Sequence, residues 1–359
     1  MESIKSGEFW YDNNGELIQA HAGQIFEENG IYYLYGEDKS NMTVDKPGEP
    51  YHKGIHFYSS IDFYNWKDEG VVVPAVDDIN NPMDYRRIVD RPHVIKNEKT
   101  GKYVMWIKIS GSPDKIRDWT TQRAYILTSD KLLGPYTPIK ELLPNGQNMG
   151  DFDFVKDDKT GDMYIYFSHI VGSPSNVACM KLTEDYLGVE NGAKYYFDYD
   201  APPETRESPA FFKRNGKIYL STSGCTGYHP NPSLISVANE ANGPWKELGN
   251  ICVGDDTKST FHSQISCVFK HPQKKDLYIA IADRWLSDLD LSKLEWITNG
   301  YRTLQAKQKV ETDLTWEQVW QYSKRNISLA TYVWLPFKFD KNGKPYLEWR
   351  DEWTLEEFE

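Results

Sequence analysis

Five polar side chains stand at corresponding places in the sequence, each at the start of a short apolar strand. A turn rich in Gly, Asn or Lys and a second strand heavy in Tyr follow each of them. The five residues are His21, Asp90, Asp151, Glu207 and Gln264. If equivalent strands begin at a common axis, these side chains meet although they are far apart in the sequence. Because three of the five are carboxylic acids, the pattern predicts a carboxylate-rich pocket, and clustered titratable groups are typical of active sites.

The hairpins that carry these residues recur at a nearly regular spacing. Their tyrosines are 71, 61, 55 and 59 residues apart, at Tyr32, Tyr103, Tyr164, Tyr219 and Tyr278. Such a period indicates a repeat architecture, and radially arranged hairpin sheets indicate a β-propeller. We therefore predict an all-β fold in which residues 1–359 form one domain. That domain is a five-bladed β-propeller with four antiparallel strands in each blade and no appended carbohydrate-binding module. No sustained helical period competes with the strands, and the hairpin from Tyr332 is expected to complete the last blade.

The composition excludes several classes of partner. The 359 residues carry 53 acidic and 41 basic side chains, a formal net charge of −12, whereas a nucleic-acid partner requires a basic surface. No stretch approaches the ~20 apolar residues of a membrane span. The amino terminus lacks the apolar core of a secretory signal, so we expect either a cytoplasmic protein or one whose signal has been removed. We expect a monomer.

The spacing of cysteines and histidines argues against a metal enzyme. Cys179, Cys225, Cys252 and Cys267 show no zinc-like spacing, and the eight His form no HExxH pattern. We therefore expect free, mostly buried thiols, no catalytic metal and no required cofactor.

Several ordered motifs resemble one family of glycosidases. The run RESPAFFKRNGKIYLSTSGCTGY, from Arg206 to Tyr228, looks like the catalytic-acid blade of glycoside hydrolase family 43, a family of five-bladed, inverting enzymes. The motifs AHAGQI, DRPHVI, SGCTGY, STFHSQ and ADRW together resemble its exo-β-1,3-galactanase subfamily. The resemblance spans nearly the whole chain and implies a polysaccharide or oligosaccharide substrate.

The resemblance implies roles for two carboxyl groups. An inverting glycosidase needs one acid to protonate the leaving oxygen and a base on the opposite face of the sugar to activate water. Glu207 matches the family's acid, although an ion pair with Arg206 or Arg214 is the alternative. Asp151 matches the position whose negative charge keeps that acid protonated. It could instead cap a turn of its own blade, and Asp153 is its rival for the role.

The sequence identifies the catalytic base less clearly than the catalytic acid. Many members of the family place an aspartate base on the first blade, where this chain has Ala20 and His21. The exo-galactanase motif STFHSQ instead places Gln264 near the attacking water, where we expect it to position that water. A neutral amide is a poor proton acceptor, and an ordinary buried amide is the alternative. Asp90 in DRP stands where the subfamily more often has the longer glutamate.

Further positions of the resemblance predict contacts with the sugar. Glu37 in YYLYGED matches a residue that binds the terminal hexose, and Asn176 and Thr226 match other polar positions of the pocket. Tyr125 or Tyr228 could supply a stacking face. The full expected set is Glu37, His21, Tyr125, Asn176, Thr226, Tyr228 and His262.

The sequence thus predicts an exo-acting, inverting glycosidase that removes terminal galactose from β-1,3-galactan, as in the backbone of arabinogalactan. An α-L-arabinofuranosidase or β-xylosidase of the same family is one alternative, and a non-catalytic sugar-binding propeller is another. The resemblance also allows a structural calcium ion at the axis, as in parts of the family.

Overall fold

A computed structural model of the chain describes residues 2–43, 46, 48–171 and 173–359. It begins with the short strand β1 (Ile4–Lys5), and four antiparallel sheets of four strands follow. Each of these sheets is a meander of strands that are consecutive in the chain. Tight turns set the register of the hairpins. For example, Asn29 and Gly30 both have positive φ, which suits the two-residue turns that match the twist of antiparallel strands.

The sixteen strands of these four sheets are each three to nine residues long. The first sheet contains β2 (His21–Glu28), β3 (Ile31–Asp38), β4 (Gly54–Ser60) and β5 (Lys67–Pro74). The second contains β6 (Ile88–Lys96), β7 (Tyr103–Ser110), β8 (Arg123–Ser129) and β9 (Thr137–Leu142). The third contains β10 (Met149–Lys156), β11 (Met163–Val171), β12 (Ser173–Lys181) and β13 (Lys194–Tyr196). The fourth contains β14 (Arg206–Arg214), β15 (Lys217–Gly224), β16 (Leu234–Ala238) and β17 (Lys246–Gly249).

Smaller sheets complete the described part of the chain. Their strands are β18 (Cys252–Val253), β19 (Gln264–Lys270), β20 (Tyr278–Arg284), β21 (Thr331–Pro336), β22 (Lys338–Phe339), β23 (Pro345–Glu348) and β24 (Glu352–Trp353). One three-stranded sheet has the order β19–β20–β21 and another the order β18–β23–β22. The last strand, β24, pairs with β1.

The prediction of five blades with four strands each is wrong. The described residues form six sheets of three or four strands, so the propeller has six blades. The additional sheet, β18–β23–β22, is built from short segments that lack the Tyr-rich hairpin, and counting hairpins therefore could not find it. Its Leu347 shares an apolar cluster with Phe212 of β14 and Leu335 of β21, so this sheet packs against both the fourth sheet and the β19–β20–β21 sheet. The last hairpin is accordingly divided between two sheets.

Five of the six sheets contribute an innermost strand to the axis. These strands are β2, β6, β10, β14 and β19, which contact one another in that order and close into a ring. Each of them contains a shift in register near its beginning. In three of the strands a residue at the shift has positive φ, namely Ala22, Arg91 and Ser208. Such β-bulges bend a strand and redirect its side chains. The bulges therefore determine which side chains face the end of the axis.

A helical insertion separates β20 from β21, where the sequence analysis expected no helix. It contains α1 (Leu294–Leu304) and α2 (Trp316–Trp320). The side chain of Val319 packs so closely on α1 that a Cβ atom at Gly300 would lie 2.7 Å from it. Among the described residues, no helix has the length and apolar character needed to cross a bilayer.

Candidate active site

A cavity of about 580 Å³ lies at the end of the propeller where the inner strands begin. The strand starts of β6, β10, β14 and β19 and the end of β3 all reach it. Six of the predicted site residues line its wall: Glu37, Asp90, Asp151, Glu207, Tyr228 and Gln264. The structure thus brings together side chains that are more than 200 residues apart in the sequence.

Glu207 lies within this cavity at the beginning of β14. Its Oε1 accepts a hydrogen bond from Nε2 of Gln264 at 3.2 Å. Enclosure in the protein, and next the negative charge of Asp151, raise the pKa of Glu207 to about 8, although Lys108 and Arg91 oppose the rise. The carboxyl group is therefore largely protonated near neutral pH, as a general acid must be.

The alternative role of Glu207 in a surface ion pair does not fit the contacts of the two candidate cations. Arg206 donates to the backbone carbonyl oxygens of Pro203, Glu204 and Pro232. Arg214 forms its ion pair with Asp276, 2.7 Å away. Glu207 is therefore held by an amide and not by an arginine.

Asp151 is buried between two cations. Its Oδ2 lies 3.0 Å from Nε of Arg91, and its Oδ1 lies 2.7 Å from Nζ of Lys108. Burial opposes its ionisation, but Arg91 and then Lys108 outweigh that effect and hold the pKa of Asp151 below its ordinary value. Asp151 is therefore an anion at neutral pH, and its charge disfavours ionisation of Glu207.

Asp153, the rival of Asp151, has a different environment. Its Oδ1 lies 3.2 Å from Nδ1 of His93, and its Oδ2 accepts a hydrogen bond from the backbone N–H of Phe211 at 3.0 Å. Asp153 thus joins β10 to β14 below the cavity and does not line it.

Asp90 shares a cation with Asp151. Its Oδ2 lies 3.2 Å from Nζ of Lys108, and its Oδ1 accepts hydrogen bonds from Nζ of Lys39 at 3.1 Å and from the hydroxyl of Tyr51 at 3.0 Å. Burial opposes ionisation, but Lys108 and Lys39 together lower the pKa of Asp90 well below its ordinary value. Asp90 is the second carboxylate that stays charged at neutral pH.

Gln264 uses every hydrogen-bonding position of its amide. Nε2 donates to Oγ of Ser223 at 2.9 Å as well as to Glu207, while Oε1 accepts from Nη2 of Arg91 and from Nε1 of Trp285 at 3.1 Å. An amide oxygen has two lone pairs. Both are occupied, so no lone pair remains for a water, and the contacts of Gln264 favour a role in orienting Glu207.

Glu37 closes the deep end of the cavity. It is buried, and it accepts a hydrogen bond from the backbone N–H of Arg91 at 2.8 Å and lies 2.9 Å from Nζ of Lys39. Burial raises the pKa of Glu37 to about 8, and Lys39 only partly offsets that rise. Glu37 is therefore largely neutral near pH 7 and can donate a hydrogen bond to a sugar hydroxyl.

Three of the other predicted residues are buried in the protein instead of lining the cavity. Nδ1 of His21 lies 3.0 Å from Oδ1 of Asp283, and the imidazole ring stacks on Tyr332. Tyr125 belongs to the apolar cluster between the first two sheets. Thr226 donates to the carbonyl oxygen of His229 at 2.8 Å and so holds its own loop together. Packing and loop structure account for their contacts.

Asn176 and His262 also lie outside the main cavity. Oδ1 of Asn176, on β12, is 3.0 Å from Nδ1 of His169. His262 lines a small recess beside the cavity, to which Gln264 and Tyr228 also contribute. Burial lowers the pKa of His262.

A comparison with known families establishes where this arrangement belongs. The model of glycosyl hydrolases family 43 matches residues 25–280, a range that includes Asp90, Asp151, Glu207 and Gln264. The chain belongs to glycosyl hydrolases family 43. The resemblance inferred from the motifs is thereby confirmed, and the family is one of glycoside hydrolases.

Solved structures of family 43 share the fold of this chain. A β-1,3-galactosidase is 28% identical, with a TM-score of 0.77 over 100% of this chain and 65% of that chain. A second one, solved with galactodeoxynojirimycin, is 27% identical, with a TM-score of 0.76 over 98% of this chain and 100% of that chain. The exo-β-1,3-galactanase from Phanerochaete chrysosporium, solved with β-1,3-galactotriose, shares the fold at 23% identity, with a TM-score of 0.74 over 99% of this chain and 68% of that chain.

The chain spans about 65% of the length of the first of these relatives. No curated protein sequence matches it.

Two cations of this family 43 site were missed in the sequence. Arg91 contacts Asp151, Gln264 and, through its backbone N–H, Glu37. Lys108 lies between Asp90 and Asp151. A signal for Lys108 was present, because it interrupts the apolar run YVMWIKIS of a strand that is buried throughout. A charged residue in such a strand requires a buried partner.

A structural calcium ion at the axis stays a prediction for the described residues. They contain no cluster of three or more His, Cys, Asp or Glu side chains that could hold a metal ion. On the axis, Nδ1 of His93 faces Asp153 and its Nε2 lies 2.8 Å from the amide nitrogen of Gln24. Both ring nitrogens are thus occupied, and none of the catalytic steps considered below involves a metal.

Proposed function

We propose that this family 43 hydrolase is an exo-acting, inverting glycosidase that releases terminal galactose from β-1,3-galactan. The observation that carries the proposal is the carboxyl group of Glu207, enclosed beside the anion Asp151, with its pKa raised to about 8. The choice of sugar and linkage draws on the names of the two β-1,3-galactosidases, which are 28% and 27% identical to the chain.

Glu207 supplies the proton that the leaving oxygen needs. Because Nε2 of Gln264 donates to Oε1, the proton of the neutral carboxyl group is carried by Oε2. Its transfer to the glycosidic oxygen leaves Glu207 negatively charged beside Asp151, and the nearby cations Lys108 and Arg91 offset that repulsion. The same two cations are already in place before the reaction begins, so no reorganisation is required.

Asp90 is the candidate for the group that activates water. Only Asp90 and Asp151 among the described acidic residues of the cavity have a lowered pKa, and an ionised carboxylate is required to accept a proton. Asp151 is the carboxylate that raises the pKa of Glu207, whereas Asp90 is not among the larger influences on it. In an inverting mechanism the base lies on the opposite face of the sugar from the acid, and the water lies between base and sugar.

The test of this function identifies the released sugar and its anomer. The protein is incubated with β-1,3-galactotriose and with aryl galactoside, arabinofuranoside and xyloside, and early products are followed by proton NMR. We expect single galactose units, released as the α-anomer. Initial release of the β-anomer contradicts inversion, and release of arabinose or xylose instead of galactose supports the alternative specificities of the family.

One variant and one matched control test the role of Glu207 as the acid. Glu207→Gln should lose about 10²- to 10⁴-fold in kcat on galactotriose, the usual contribution of proton donation. Glu204→Gln is the matched control, because Glu204 is exposed and pairs with Arg302, and it should keep full activity. A fully active Glu207→Gln removes the proposed acid. Binding of galactotriose by the unaltered protein without any release of sugar supports a sugar-binding propeller.

A further inference from the structure

The outer wall of the cavity differs from its deep end in both exposure and charge. The helical insertion contributes Lys309, Trp316 and Trp320 to this wall, and the segment between β7 and β8 contributes Trp119. Trp119 and Trp316 are 38% and 40% exposed, whereas Glu37, Asp90 and Asp151 of the deep end are buried. These residues therefore form the mouth of the cavity, which opens to solvent.

The mouth presents indole rings around a central tyrosine. The ring centroids of Trp119 and Trp320 lie 6.4 Å and 6.3 Å from that of Tyr228. Trp320 is also covered by Arg325, 5.0 Å from the ring centroid, so the exposed rings of Trp119 and Trp316 are the ones that suit the C–H faces of sugar rings. The closed end at Glu37 and the acid Glu207 lie deeper, so a saccharide that contacts these rings is on the leaving-group side of the bond that is cleaved.

The charge of the mouth is opposite to that of the whole chain. The formal net charge is −12, yet the charged residues that line the cavity outside the deep cluster are the cations Lys309 and Arg325. Among the described lining residues, the acidic ones are Glu37, Asp90, Asp151 and Glu207, all of which belong to the deep cluster. A neutral galactan alone does not require cations at this place.

We propose that the mouth is a leaving-group subsite for a saccharide that carries a carboxylate, such as a uronic acid residue. This inference rests on the proposed function of the same site. The indole rings contact the sugar, and Lys309 and Arg325 attract the carboxylate. An exposed ion pair changes affinity by roughly two- to five-fold, so the two cations together should favour an acidic leaving group by about ten-fold at low salt.

The test uses two substrates that differ only in charge on the leaving-group side. β-1,3-Galactotriose is oxidised at its reducing end to the aldonate or reduced there to the neutral alditol. We expect kcat/KM of the unaltered protein to be about ten-fold higher for the aldonate at low salt, and this preference should shrink in about 0.5 M NaCl because exposed charges are screened.

Two variants decide whether the cations of the mouth are responsible. Lys309→Gln combined with Arg325→Gln should abolish the preference, so that kcat/KM becomes equal for the aldonate and the alditol. Lys307→Gln is the matched control, because Lys307 pairs with Asp198 and does not line the cavity, and it should keep the preference. The proposal is overturned if the unaltered protein shows no preference or if the preference persists in the double variant.

The design also distinguishes this proposal from the proposed function. Hydrolysis of the alditol tests the glycosidase activity by itself. If neither substrate is cleaved, the proposed function fails, and calorimetry with the same two saccharides then tests the mouth alone. Tighter binding of the aldonate that is lost in the double variant supports the subsite, and equal binding of the two saccharides overturns it.

Discussion

Replacing Asp151 with asparagine tests how the protein keeps its acid protonated. The substitution removes the anion that raises the pKa of Glu207 and also releases Arg91 and Lys108 from their partner. Both consequences act in the same direction, because the two cations lower the pKa of Glu207. A single neighbouring charge moves a carboxyl pKa by roughly one to three units, so we expect a fall from about 8 to roughly 6.

The assay is the pH dependence of kcat/KM, whose alkaline limb reports the pKa of the acid in the free enzyme. At pH 8 about half of the Glu207 side chains are protonated in the unaltered protein, against about one in a hundred in Asp151→Asn. The variant should therefore lose roughly 50-fold more activity at pH 8 than at pH 5. Asp153→Asn is the control and should leave the alkaline limb near pH 8, since Asp153 lies below the cavity. An alkaline limb that stays near pH 8 in Asp151→Asn would refute the reasoning.

Three further substitutions probe the same cavity. The pKa of Glu207 is raised from 4.5 to about 8, so its carboxyl group destabilises the fold increasingly as the pH rises from 4.5 to 8. Glu207→Gln should therefore melt at the same temperature as the unaltered protein near pH 4 and at a higher one at pH 8, and a constant difference would argue against the raised pKa. Lys108→Met removes the cation shared by Asp90 and Asp151, so chemical denaturation should show a loss of about 3–5 kcal/mol in the free energy of unfolding. The apparent pKa of the acidic limb of kcat/KM should also rise in this variant. Neither the loss of stability nor the rise in pKa is expected if solvent can replace the lysine. Trp316→Ala should raise KM for galactotriose by roughly two- to ten-fold with little change in kcat, and an unchanged KM would show that this indole does not contact the substrate.

Much of the deep site could be predicted because inner strands of a propeller begin at one end of its axis. Asp90, Asp151, Glu207 and Gln264 each stand at such a beginning, and the structure brings all four to the cavity. His21 occupies the same place in β2, but its ring turns to Asp283 on a neighbouring strand. The repeat pattern specifies where a residue lies in its strand, not which residue of another sheet it contacts.

Other features could not be deduced from repeats because they depend on contacts outside them. Tyr125 lies on the third strand of its sheet, where side chains face the adjacent sheet instead of the axis. The sixth sheet combines segments from residues 252–253 and 338–348, which only tertiary packing brings together. The helical insertion had a readable signal, since Thr315 and Gln318 form a capping box and Leu294, Ile297, Tyr301 and Leu304 recur at helical spacing.

The pairing of β1 with β24 makes the propeller a candidate for circular permutation. Ile4 lies opposite Trp353, so the two extremities are adjacent, and a short peptide could fuse them while new ends are made at the exposed turn Asn29–Gly30. Such a circular permutant would keep every sheet intact. Trimming β1 instead uncovers Trp353, which is 1% exposed, and trimming β24 removes that side chain from its apolar cluster. Pairing of the two-residue strands β1 and β24 joins the first and last strands of the described chain, so this pairing is a more sensitive place to interrupt the chain than an exposed hairpin turn.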